Sequence, residues 1–246
     1  MILGFHWGIA GEGIEALREG DYWYERRALG TESDQAKPDY INRAIAAYQI
    51  ALRDSQVEEI AAEQLLRAYY FQGCHASPSK EERMKSHTEA KQLGEQMHAR
   101  YPKNKTIASL YALNLSLWGK EYGPFQAVKE GVGGKVYNLC HLAEDYQIIG
   151  RSHQLLPYIP IILNWPDKKL VLPNLLKAHE QNPGDLNTYL FIAEYYLEQK
   201  QYDEALRWIQ TAEDRGVRPN FVLEDRRTRW KLRELKAEVE RKKGKS

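Results

Sequence analysis

Four arrangements in this sequence have residue types that could do chemistry. The run Gly131-Val-Gly-Gly134-Lys135 has the glycines and lysine of a phosphate-cradling loop. Such a loop needs a glycine five residues before Gly134, so that backbone N–H groups can surround the phosphates, and a hydroxyl residue after the lysine. Lys129 and Val136 stand at those positions, and the run reads as a weakened helix or a close interhelix approach. Two Cys-His pairs, Cys74-His75 and Cys140-His141, would supply four zinc ligands. Neighbouring residues on a helix point about 100° apart, whereas structural zinc sites space their ligands by about two to four residues. Both cysteines therefore read as packing residues. Carboxylates are abundant, but none lies in a nucleophile elbow, beside a His-x-x-x-His pair or in a glycine-rich loop. The expectation is no catalytic residue, no metal and no cofactor.

Aromatic residues, 11% of the chain, are the fourth arrangement, because nucleic-acid bases stack on such faces. Charge opposes that reading: 35 Lys and Arg face 34 Asp and Glu over 246 residues, for a net charge of +1. A balanced chain lacks the electrostatic footprint of a nucleic-acid protein. Two cysteines cannot build a disulfide framework. The longest strongly apolar stretch, Leu155 to Trp165, is about half of what a spanning helix needs and holds two prolines, so no transmembrane segment is expected. The last residues, 224–246, carry ten basic and five acidic side chains, as expected of a solvated helix with a frayed tail. A phosphate- or lipid-binding patch is the alternative there. The opening Met1-Ile2-Leu3-Gly4-Phe5-His6-Trp7 has no leader pattern, which fits a cytoplasmic protein or a mature domain whose leader was removed.

The elements that must position any site are helices. Strand alternation and Asn-Gly or Asp-Gly turns are missing, while apolar residues recur at three- and four-residue steps, as in Leu65, Leu66, Tyr69 and Tyr70. Prolines 38, 78, 102, 124, 166, 183 and 219 punctuate the chain. About eleven helices are predicted, near 12–29, 38–53, 57–72, 80–100, 105–119, 125–146, 151–164, 168–181, 186–199, 202–214 and 223–243. The fold class is all-α.

These helices carry a repeat. From Leu186, residues Tyr189, Ala193, Tyr196, Ala205, Ile209 and Ala212 occupy positions 4, 8, 11, 20, 24 and 27 of one unit. Small side chains at 8, 20 and 27 let paired helices approach, and bulky ones fill the gaps between them, which is the pattern of a tetratricopeptide repeat. Earlier echoes place anchors at Ala51, Met97, Ala143 and Ala178, at intervals of 46, 46, 35 and then 34 residues to Ala212. The expectation is a single domain, 1–246, in a right-handed superhelix. It comprises an N-terminal segment 1–11, about five helix pairs over 12–221, and a C-terminal helix with a basic tail, 222–246.

Several short runs carry a family resemblance. They are Tyr101-Pro-Lys-Asn104, Ala112-Leu-Asn114 leading to Trp118-Gly119, Gly150-Arg151, Trp165-Pro166-Asp167, and Glu224-Asp225 after the closing repeat. Over about 100–230 the chain resembles the tetratricopeptide-containing T component of tripartite ATP-independent periplasmic (TRAP) transporters. It is also similar in helical layout to the regulator-of-microtubule-dynamics group. The first resemblance implies a lipid-anchored, periplasmic, non-catalytic partner of a substrate-binding protein, with an apolar channel for a small molecule or lipid.

The repeat frame selects the binding face, because positions 2, 5, 9, 12 and 13 of each first helix line the concave side. These are Glu63, Arg67, Tyr70 and Phe71; Ser109, Leu113, Ser116 and Leu117; Leu155, Ile159, Ile162 and Leu163; and Asn187, Leu190, Glu194 and Glu198. Either this face is an apolar groove with polar ends, or inserted helices cover it and it is ordinary core. The carboxylates and the single Arg67 argue against a clamp for a peptide C-terminus. The segment around Pro157 and Pro160 reads either as a kinked core helix or as a kink that opens a channel wall, with Arg151, His153 and Trp165 at its mouth. The expected function is non-enzymatic binding, as an accessory subunit of a solute-uptake system. The alternative is a cytosolic scaffold that grips a peptide or helix of a larger complex.

Overall fold

The computed structural model describes residues 9–161 and 163–245. The opening run Met1–Trp7 and the groove candidate Ile162 lie outside the described residues. Twelve α-helices and no β-strand occur among them, and one isolated antiparallel bridge joins Ile159 to Leu163. The fold is all-α. The chain divides into two compact units, Met1–Ala143 and Glu144–Ser246.

The first unit contains α1 (Ile9–Glu25), α2 (Pro38–Ala51), α3 (Glu58–Phe71), α4 (Lys80–Arg100), α5 (Lys105–Tyr122), α6 (Pro124–Lys129) and α7 (Val132–Ala143). Local chemistry starts them where the sequence suggests. Pro38 opens α2, where a missing N–H costs nothing. Ser79 and Glu82 form a reciprocal capping box on α4. Asn104 accepts the Ile107 N–H at 2.8 Å to begin α5. Consecutive helices pack on one another, and α3 also packs on α5. The anchors Ala51, Ala62, Leu66, Ala90, Met97, Ala108, Ala112 and Leu115 are all sealed from solvent, so the small-and-large pattern acts in packing.

The second unit contains α8 (Tyr146–Leu155), α9 (Val171–Gln181), α10 (Leu186–Glu198), α11 (Tyr202–Glu213) and α12 (Val222–Lys243). Ala193, Ala205, Ile209 and Ala212 are fully buried, together with Tyr189, Leu190, Leu232 and Val239. Helix α10 packs on α11, α9 and α12 and touches α8, so four neighbours surround it. At the α8–α9 crossing, a Cβ on Gly150 would come within 2.8 Å of the Leu175 side chain and 3.1 Å of its backbone nitrogen. Only glycine allows that approach.

Two predicted helices are corrected. The expected helix 125–146 is broken into α6 and α7 at Gly131, whose φ of +64° lies in the left-handed region. The expected kinked helix 151–164 instead begins at Tyr146, where Asp145 accepts the Ile148 N–H at 3.0 Å, and ends at Leu155. Leu156 is extended, at φ −81° and ψ 138°, because the ring of Pro157 crowds a helical residue before it. The prolines therefore end α8 rather than bend it.

Candidate functional site

In the second unit, three of the predicted residues, Arg151, Glu194 and Glu198, come together around Gln154. Arg151 and Gln154, three apart on α8, face Glu194 and Glu198, four apart on α10. That spacing puts each pair on one helix face. The Arg151 guanidinium lies 2.5 Å from a Glu194 carboxylate oxygen and donates to Gln154 Oε1 at 2.7 Å. Its Cζ sits 4.3 Å from the Phe191 ring centroid, a cation–π contact that also shields the ion pair. Gln154 Nε2 donates to Glu198 at 3.2 Å, and the Gln154 carbonyl accepts from Lys168 Nζ.

The chain after α8 folds back onto this ledge. His153 is buried, and its Nδ1 accepts the Asp167 backbone N–H at 2.9 Å. Its ring meets Trp165 edge to face at 5.4 Å. Asp167 then caps a short 3₁₀ turn, Lys168–Leu170, by accepting the Lys169 N–H at 2.9 Å. Between these anchors Leu155 is largely exposed, and Ile159 is half-buried in its bridge with Leu163. Neither lies on a helical groove face, because Leu155 is the last residue of α8 and Ile159 lies beyond it.

No protein-family model and no curated protein matches this chain.

Asn187 lies in a different setting. Its Nδ2 and backbone N–H both donate to Asp185, and its Oδ1 accepts from Thr228 of α12 at 3.0 Å. Asp185 also receives Gln147 at 2.8 Å and the Arg218 guanidinium at 3.4 Å. Arg218 is held mainly by Asp225, which is fully buried and accepts both the Arg218 backbone N–H at 2.8 Å and its guanidinium at 2.6 Å. Burial would lower the Arg218 pKa, but the Asp225 hydrogen bond and the Asp185 and Asp225 charges outweigh it and raise the value. This network ties α8, α10 and α12 together. Leu190, expected on the groove, lies in the core that α12 closes.

In the first unit, Arg67 on α3 is exposed, while Glu63, Tyr70, Ser109, Leu113, Ser116 and Leu117 are half-buried. Ser116 Oγ donates to the Ala112 carbonyl at 2.8 Å, and Glu63 accepts from Asn104 at 2.8 Å. Tyr70 meets His75 edge to face at 6.2 Å. The exception is Phe71, which is buried beside Tyr24 and His75. The face shared by α3 and α5 is thus partly open above a sealed row of alanines and leucines. Asn114, fully buried on α5, crosslinks the two helices by donating to the Leu66 carbonyl at 3.2 Å.

Sequence reasoning passed over Gln154, Phe191, Asp167 and Lys168. The three-residue step from Arg151 to Gln154 was the available signal for the first of these. The others are set by contacts distant along the chain. Among the described residues no group of three or more His, Cys, Asp or Glu side chains is placed to hold a metal, and no helix is long and apolar enough to cross a membrane.

Proposed function

We propose that this protein is a non-enzymatic binding scaffold that presents helix faces to a protein partner. The observation that carries the reading is the face of α3 and α5. There Arg67, Tyr70, Leu113 and Ser116 stay partly open while their neighbours Leu66, Ala112 and Leu115 are sealed. A partly open face that mixes aliphatic, aromatic and cationic side chains has the composition of a recognition surface. The Arg151–Glu194 ledge in the second unit supports the same reading, because its charges are already neutralised and it offers shape and hydrogen bonds rather than an activated nucleophile.

The partner class rests on the sequence resemblance to TRAP T components and is a substrate-binding protein of a solute-uptake system, with the chain residing in the periplasm. An apolar small molecule or lipid held by the helices belongs to the same proposal. Native mass spectrometry of the chain captured from its own cells, followed by Arg67→Glu and Leu113→Asn variants, tests it. A co-purifying substrate-binding protein that both variants lose, at unchanged melting temperature, is the expected result. Subunits of a cytosolic assembly would favour the alternative scaffold. Retention of every partner by both variants would overturn the assigned face.

A further inference from the structure

The turn that follows α8 presents large apolar side chains to water. From Leu155 to Pro166 the sequence has no charged residue, in a chain that is 28% charged. Leu155 and Tyr158 are 61% and 63% exposed, and Ile161 is 97% exposed. Ile161 also has φ +72°, in the left-handed region that a β-branched residue rarely enters. A side chain held in a strained backbone and presented wholly to water is disfavoured twice, and such outliers concentrate at functional positions.

The backbone of this turn suits an apolar medium. Ile159 and Leu163 exchange both hydrogen bonds, at 2.8 and 2.7 Å. Pro157 and Pro160 have no N–H to satisfy. Insertion into hydrocarbon is limited mainly by unpaired backbone donors, and four of the residues in this short turn present none. The flanks fit the boundary of a bilayer. Tyr158 and the half-buried Trp165 are the residue types that settle at headgroup depth. Exposed Lys169 follows directly and complements anionic lipid. The anchors behind the turn, His153 to Asp167 and Gln154 to Lys168, hold both of its ends to α8.

We propose that the 155–161 turn inserts its Leu155, Tyr158 and Ile161 side chains into the surface of an anionic membrane, with Lys169 on the headgroups. This inference is independent of the partner proposed above. The turn is a wedge at one leaflet, too short to span.

Flotation of the full chain with vesicles of phosphatidylcholine and phosphatidylglycerol, and with phosphatidylcholine alone, tests the inference. Wild type should float with the anionic vesicles. Tyr158→Asp with Ile161→Asp should reduce the bound fraction about tenfold or more, since two buried apolar contacts are replaced by charges facing anionic lipid. Lys169→Glu should weaken binding to the mixed vesicles and leave the neutral ones unaffected, since Lys168 is kept as the anchor on Gln154. Tyr158 and Ile161 are both exposed, so an unchanged helical circular dichroism spectrum and melting temperature are expected to accompany the loss in the Asp pair. Absence of flotation by wild type would sink the proposal. Equal flotation of wild type and the Asp pair would also sink it, and would transfer lipid binding to another surface such as the basic α12. A turn-dependent complex with a protein in place of vesicles would replace it with a protein pocket.

Discussion

His153 Nδ1 accepts the backbone N–H of Asp167 at 2.9 Å, fourteen residues further along the chain. Because the donor is a backbone amide, the imidazole proton resides on Nε2. This bond fastens the far end of the exposed turn to α8. His153→Ala should leave the Asp167 amide without its acceptor and cost about 1–3 kcal/mol in urea unfolding. Faster hydrogen exchange at Asp167 and earlier proteolysis between 156 and 164 should accompany it.

The Arg151–Glu194 pair is partly desolvated, with side chains 23% and 29% exposed. A double-mutant cycle with Arg151→Gln and Glu194→Gln should give a coupling of about 1 kcal/mol. Arg151→Lys should recover only part of it, because an ammonium replaces neither the contact with Gln154 nor the flat packing on Phe191. Equal stability of the Lys variant and wild type would contradict the cation–π contribution.

Asp225 is the more costly residue to lose. Its side chain is 1% exposed and bonds Arg218 from three donor atoms. Asp225→Ala should destabilise the second unit by about 3 kcal/mol or more, as removing one partner strands a half-buried guanidinium. Chemical denaturation of the variant against wild type measures this.

Gly150→Ala should cost about 1–3 kcal/mol by overpacking at the α8–α9 crossing. Leu175→Ala in the same chain should return part of that loss, since it removes the Cγ and Cδ2 atoms that make the two closest contacts. Two purely additive penalties would argue that the crossing is not the cause.

Acid should weaken the fold through two histidines held below their ordinary pKa, the buried His87 and the half-buried His179. Burial is the main cause holding His87 below its ordinary pKa of 6.5, against a smaller opposing effect of Asn114. His179 is lowered in the same direction, by burial and then by the Arg215 charge. In the unfolded chain each binds a proton near pH 6.5, so between that value and the depressed folded pKa the unfolded state holds more protons. Stability should therefore fall as pH drops through about 6.5, by at most about 1.4 kcal/mol per pH unit for each group. His87→Gln should flatten, though not abolish, the slope of unfolding free energy against pH.

Much of the fold was legible because its signals are local. A cap, a proline or a three-and-four spacing acts within one helix, and the alanine anchors at 51, 62, 112, 193, 205 and 212 all proved buried. The end of α8 was not legible in this way. An apolar run through Pro157 and Pro160 satisfies helical spacing, and only the extended Leu156 shows that the prolines stop the helix. Glycine's tolerance of φ +64° at position 131 likewise divided a helix whose hydrophobic pattern runs on.

By itself, then, the sequence determined the helical class, the places where most helices begin, and which small side chains let neighbours close in, since all of these depend on residues within a few turns of each other. Tertiary structure alone decided that α12 covers Leu190 and bonds Asn187, and that Arg151 meets Glu194. It also turned an apolar run into an exposed turn pinned by His153. Periodicity reveals that a helix has an inner face, but the side chains that cover that face come from elsewhere in the chain and are selected only when the helices pack.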